Sequence, residues 1–435
     1  MEKIDHLIHA KWIITCEENN RALENHSLAI KNGKIIAILP TKEAEKTYQA
    51  PLTAYSSHAI MPGFINSHTH ISMNVFRGLA DDLELMDWLT NHIWPAEGKW
   101  VSHQLVYDAS LLAMAEMIRG GTTCFNDMYF FLDATAKAAT EVGMRAHIGM
   151  TIIDVPTAWA KTTEEYFEKA LSFYHDYKNH ALIVPTMAPH STYTVSKENL
   201  IKANEIALEY SLKINIHLQE APSEVQQFLA KHNKRPLQLL NEIGMVTSHL
   251  IAIHMTQIND DDLAILQKAK PSIVHCPESN MKLVSGACPV EKLTQLGINV
   301  ALGTDGAASN NDLDMFGEMR SATFLGKITA NDPKAVSADK VLKMATLYGA
   351  KALGIDHLTG SLTPGKAADF IAIDLDRIET QPLYHPISQI VYATHRNQVT
   401  DVWVGGKQLM KNRQLLTLDE KELLSKAKSW KKKIM

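Results

Sequence analysis

Cysteine is scarce in this chain: four residues in 435 (Cys16, Cys124, Cys276 and Cys288), none in CxxC spacing. That argues against a disulfide framework and against a thiolate zinc site, and fits reduced thiols. Net charge is small as well. A formal value of −5 and a pI near 6.5 provide no long-range attraction for phosphate backbones or anionic lipid, so neither nucleic acid nor a membrane is an expected partner. No run approaches the roughly 18 apolar residues of a membrane span, and the opening Met-Glu-Lys-Ile-Asp-His lacks the basic and apolar regions of a signal peptide. The cytoplasm is the expected compartment. Also missing are GxGxxG, a P-loop, GxSxG, HExxH and the Pro-Cys-x-x-Cys half of the cytidine-deaminase signature, which removes dinucleotide, nucleotide-phosphate, serine-hydrolase and two zinc-enzyme readings.

What is present is ample core material, with 46% hydrophobic and 21% charged residues. The length fits a β/α barrel of about 250 residues with a satellite domain. Residues Ser27 to Leu39 form two β-type runs around Asn32-Gly33, a hairpin signal. Similar material returns at Ala368 to Asp374 and at Val399 to Lys407. The expected organisation is therefore an α/β protein: a (β/α)8 TIM-type barrel over 58–367, a small β-sandwich domain built from both termini (1–57 plus 368–417), and a C-terminal helix over 418–435. The middle alternates short apolar strands with helical patterns, as βαβ units do. Strands are expected at Ile60–Ile65, Thr122–Asn126, Arg145–Thr151, Leu182–Met187, Lys213–His217, Leu250–His254, Ser272–His275 and Asn299–Leu302. A helix is expected over Gln104–Arg119, stopping at Gly120-Gly121.

In such a barrel the chemistry sits at the C-terminal strand ends. There the histidines gather: Asn66-Ser67-His68-Thr69-His70 after strand one, His217-Leu218-Gln219-Glu220 after strand five, His254 at strand six, His275 at strand seven and Thr304-Asp305-Gly306 after strand eight. Alternate residues of an extended chain share a face, so His68 and His70 converge. With His217 and Asp305 they make a nitrogen and oxygen ligand set suited to zinc or iron, with room for a water whose pKa the ion lowers toward about 7.

At this point the residues resemble a known group. Met61-Pro62-Gly63-Phe64-Ile65-Asn66-Ser67-His68-Thr69-His70 and Gly365-Lys366-Ala367-Ala368-Asp369 are similar to motifs of the amidohydrolase superfamily. Trp94-Pro95-Ala96-Glu97, Ala188-Pro189-His190, His275-Cys276-Pro277-Glu278-Ser279-Asn280 and Gly303 through Asn310 resemble its deaminases of methylthioadenosine and S-adenosylhomocysteine. The resemblance implies hydrolytic deamination of an adenine nucleoside to the inosine derivative and ammonia, with adenosine and 5′-deoxyadenosine as further candidate substrates. It implies one divalent ion, zinc or iron, on His68, His70, His217 and Asp305. Glu220 is then the proton donor to the purine ring and Asp305 the base. His254 orients the nucleophile, while Glu97 and His190 are substrate ligands, Glu97 to the ribose hydroxyls. Two departures stand out. Many relatives read His-x-His-Glu where this chain has Gln219, and no arginine lies between Ile152 and Thr163 to hold a homocysteine carboxylate. A triazine chlorohydrolase or aminohydrolase, a guanine deaminase and a non-catalytic binding protein are the rival readings, separated by Glu97, His190 and turnover. Oligomeric state stays open, a homo-oligomer included.

Overall fold

The computed structural model describes residues 1–435. Eight parallel strands form the central sheet: Phe64–Thr69, Thr122–Tyr129, Arg145–Ile152, Ile183–Pro189, Ile214–Leu218, Leu250–His254, Ser272–His275 and Asn299–Leu302. They pair in chain order, and the eighth is brought back to the first by the Asp305 amide donating to the His68 carbonyl at 3.0 Å. The barrel expectation holds, with one strand corrected. Ile60–Ile65 is not a single strand: Ile60–Pro62 completes Leu52–Pro62 of the second sheet, and the barrel begins at Phe64. The continuous apolar run hides a passage from one sheet to the other at Gly63.

Both ends of the chain build that second sheet, eight strands of mixed direction. Its hairpin pairs Ala22–Lys31 with Lys34–Pro40, and Asn32 and Gly33 take φ of 53° and 71°. A two-residue turn needs positive φ at both positions to match strand twist, which explains Asn-Gly there. The helix after strand one runs His103–Arg119, with Ser102 Oγ accepting the Leu105 amide at 3.3 Å. The last helix, Glu420–Ile434, is capped by Asp419 and docks on it through Trp430 Nε1, which donates to Asp108 Oδ2 at 3.1 Å. No helix is long and apolar enough to cross a membrane.

Inside the barrel a polar layer underlies the strand ends. Asn126 of strand two donates to Asn215 of strand five at 3.0 Å, and Asn215 donates to Thr186 of strand four at 2.8 Å. The first of these bonds joins non-adjacent strands and requires Asn215 to face the barrel axis. His217 shares its parity and faces inward, while Ile214, Ile216 and Leu218 belong to the main apolar core.

Strand eight approaches strand one so closely that a Cβ on Gly303 would stand 2.7 Å from the His68 amide nitrogen and 2.8 Å from its carbonyl oxygen. Gly303→Ala is therefore expected to cost about 1–3 kcal/mol through overpacking and to displace His68. Thermal denaturation checks this; an unchanged melting temperature would contradict the close approach.

Candidate metal centre and substrate cavity

The ends of strands one, five and eight bring His68, His70, His217 and Asp305 together, with one ligand atom from each within 4.8 Å of all the others. His217 Nε2 lies 3.2 Å from both His68 Nε2 and His70 Nε2, and Asp305 Oδ1 lies 3.4 Å from each of the latter two. The far side of two rings is fixed. His70 Nδ1–H donates to the Met128 carbonyl at 2.5 Å and His217 Nδ1–H to the His190 carbonyl at 2.7 Å. A proton on Nδ1 leaves a lone pair on Nε2 of a neutral ring, so nitrogen lone pairs face one another at contact distance. That arrangement repels itself unless a cation sits among them, and backbone carbonyls behind the imidazoles are the usual orienting partners of metal ligands.

Protonation states agree with this. Burial pulls His68 down to about 4 and, together with His190, holds His217 well below the usual imidazole range. Burial opposes ionisation of Asp305, yet the hydrogen bond with His68 and the neighbouring imidazoles of His254 and His70 outweigh it and keep the carboxyl well below its usual range. Neutral imidazoles and one carboxylate are the forms a divalent ion needs; the donor set fits such an ion.

Asp305 is held from behind: Oδ2 accepts from Ser279 Oγ at 2.7 Å and Ser309 Oγ at 3.0 Å. Its carbonyl accepts from Thr69 Oγ1 at 2.9 Å, and Asn66 brackets Thr304 with two hydrogen bonds of 2.8 and 3.0 Å. His254 stands beside the cluster, its Nδ1–H donating to Asn280 Oδ1 at 2.9 Å and its Nε2 3.8 Å from Glu220 Oε2. Gln219, His254, Met255 and Asp305 take φ between 47° and 74°. Left-handed backbone in non-glycine residues costs of order 1–3 kcal/mol each and is tolerated where the surroundings over-determine it; here it re-aims side chains at the mouths of three strands.

Glu220 is buried, and burial followed by the charge of Asp305 pushes its carboxyl up to about 8. Gln219 turns away from the cluster, donating through Nε2 to the Gln257 carbonyl at 2.8 Å and to Asp262 Oδ2 at 3.0 Å. The departure at this position thus serves the loop rather than the metal group. Glu97 comes from the helix Trp94–Trp100 and accepts the Tyr129 hydroxyl at 2.6 Å; burial pushes it up to about 7 against that hydrogen bond. His190 presents its carbonyl to His217 while Thr194 Oγ1 lies 2.9 Å from its own Nδ1. His70, Glu97, His190, His217, Glu220, His254 and Asp305 line one cavity of about 370 Å³, within the usual range for small-ligand sites; His68 and Gln219 lie outside its lining. His275 lies buried outside that lining. Sequence reasoning had not singled out Tyr129, Ser279, Ser309 or Asn280 as individual partners, although the last three lie inside quoted motifs.

A parallel barrel whose strand ends converge on three imidazoles and a carboxylate is the scaffold of a metal-dependent hydrolase. Residues 59–409 match the amidohydrolase family. The chain is 46% identical over 432 residues to a 5-methylthioadenosine/S-adenosylhomocysteine deaminase of Saccharophagus degradans, covering 99% of this chain and 97% of that one. It is 44% identical over 432 residues to a protein of the same name from Teredinibacter turnerae, covering 99% and 98%. The crystal structure of an adenosine deaminase from Xanthomonas campestris with bound zinc superposes with a TM-score of 0.98 at 43% identity, covering 100% of this chain and 99% of that one. The chain belongs to the amidohydrolase family.

Replacing His217 by Ala removes one donor of four and is expected to drop bound divalent metal from about one ion per chain to near zero. Elemental analysis after gel filtration checks this; full retention would contradict a shared ion.

Proposed function

We propose that this chain catalyses metal-dependent hydrolytic deamination of the adenine ring of 5′-methylthioadenosine, S-adenosylhomocysteine or both, releasing ammonia and the inosine derivative. The observation that carries the reading is the placement of two buried carboxyls beside the histidine cluster in one cavity, Asp305 with Oδ1 3.4 Å from His68 and His70 and Glu220 with Oε2 3.8 Å from His254, the first held well below its usual range by the imidazoles and the second pushed up to about 8 by burial. The full-length similarity to proteins named for this activity supports it. His68, His70, His217 and Asp305 hold one divalent ion, zinc in preference to iron because the similar Xanthomonas structure carries zinc. When bound, the ion supplies the acidification that makes water a nucleophile near neutral pH.

The chain's own groups divide the remaining work. Glu220 donates its proton to ring nitrogen N1, which makes C6 electrophilic as the nucleophile adds. Asp305 accepts the proton that the attacking water loses and passes it to the amino group, which leaves as ammonia when the C6–N6 bond breaks, while the proton of the new C6 hydroxyl returns to Glu220; Asp305 Oδ1 faces the imidazoles and Oδ2 is tied to the two serines. His254, fixed by Asn280, orients the nucleophile. Glu97 accepts hydrogen bonds from the ribose hydroxyls, and His190 is a further substrate contact. Recognition of hydroxyls by a buried acceptor favours a nucleoside over a free base, because an unfilled acceptor is costly. That separates this reading from guanine deamination and triazine hydrolysis, which use similar metal groups.

Glu220→Gln is expected to lower kcat by about 10²-fold or more with metal content unchanged; unaltered turnover would exclude Glu220 as the acid. The acid form of a group raised to about 8 is present below that pH and lost above it, so wild-type kcat/KM should fall as pH rises through this region. Loss of that alkaline limb in Glu220→Gln, followed by the ultraviolet change from adenine to hypoxanthine, checks the assignment. An identical profile in the variant would contradict it. A panel of methylthioadenosine, S-adenosylhomocysteine, adenosine, guanine and a triazine tests the substrate class, and turnover of only the last two would overturn it.

A further inference from the structure

The cavity beside the histidine cluster is one-sided in its chemistry. None of its 28 lining residues is Lys or Arg, whereas Glu97, Glu220 and Asp305 all contribute carboxyls. The lining imidazoles are largely committed: His70 and His217 donate to backbone carbonyls, His254 to Asn280, and His190 Nδ1 meets Thr194. Cations on the neighbouring segments already have partners. Lys99 Nζ sits 4.7 Å over the Trp100 ring, Lys282 is held by Asp81 and Asn311, and Lys161, outside the lining, donates through Nζ at 2.6 Å to the carbonyl of Thr157 at the cavity wall.

Fifteen of the 28 lining residues are hydrophobic. Leu85, Trp88 and Trp94 come from the helical segment before Glu97, and Phe130, Ile153 and Val155 follow strands two and three. Trp94 keeps 38% and Val155 49% of its surface exposed, so apolar area is left for a ligand to cover. A methyl thioether or a bare methyl group would gain by covering it. An amino-acid tail would not: its α-carboxylate would meet no Lys or Arg among the lining residues and would leave water against largely apolar surface.

We infer that this site selects adenine nucleosides whose 5′-substituent is uncharged and apolar, and discriminates against the zwitterionic tail of S-adenosylhomocysteine. The inference rests on the deaminase reading above and narrows its substrate class. It concerns charge rather than size, so a longer uncharged thioether should be accepted.

The test compares kcat/KM of the metal-loaded protein for 5′-methylthioadenosine, 5′-butylthioadenosine and S-adenosylhomocysteine, together with equilibrium dialysis of all three against Glu220→Gln. The two uncharged thioethers should perform alike, with S-adenosylhomocysteine lower by about tenfold or more in both readouts. Val155→Arg, at a half-exposed position, should narrow that gap by improving S-adenosylhomocysteine. Leu85→Arg provides an independent second placement of the cation if Val155→Arg does not fold. Parity of S-adenosylhomocysteine with methylthioadenosine overturns the inference, as does equal rejection of the butyl compound, which would indicate a size limit. Absence of turnover with all three, while dialysis still ranks them as stated, would overturn the deaminase reading and leave the selectivity standing.

Discussion

Everything at the mouth of this barrel depends on nitrogen lone pairs being forced together. The Nε2 atom of His217 lies 3.2 Å from those of His68 and His70, with Asp305 Oδ1 beside them, and the Nδ1–H groups of His70 and His217 are spent on carbonyls, which turns both Nε2 atoms to the same point. Alone, such a cluster would push itself apart. The fold resists this with groups whose only evident task is to hold it: Ser279 and Ser309 behind Asp305, Asn66 and Thr69 across the strand-one to strand-eight seam, and Gly303 where the two strands touch. The strained backbone at Gln219, His254, Met255 and Asp305 belongs to the same device.

The same dry surroundings sort the carboxyls. Asp305 is flanked by imidazoles that hold its carboxyl well below the usual range, while Glu220, at the mouth of strand five, is pushed up to about 8 by burial and by the charge of Asp305. Two carboxyls thereby acquire opposite proton affinities from their neighbours, the condition that the proposed division into acid and base requires. Glu97 stands apart, its acidity set by burial and by the Tyr129 hydroxyl.

Much of this was legible in the sequence because barrels place chemistry at predictable points. The His68-x-His70 spacing, the strand ending at His217 and the Thr-Asp-Gly after strand eight locate the cluster through alternation and strand polarity alone. Less visible was the switch of sheets at Gly63, since an unbroken apolar run signals burial without saying in which sheet. The supports were hidden for another reason. Ser279 meets Asp305 across 26 positions and Tyr129 meets Glu97 across 32, and hydroxyls carry no periodic signal. Gln219 could not be oriented at all, because a left-handed residue at a strand end breaks the rule that alternate side chains share a face. The apolar wall from Leu85 to Trp94 reads as ordinary helix until the cavity shows what it borders.

The central claim is that these four side chains share one cation. Anomalous diffraction from crystals of the purified protein, collected on both sides of the zinc absorption edge, tests it most directly. The account predicts a single strong peak enclosed by His68, His70, His217 and Asp305, at about 2.0–2.2 Å from their ligand atoms. A metal-replete crystal with the peak elsewhere, or with the imidazoles rotated apart and bridged by water, would contradict it.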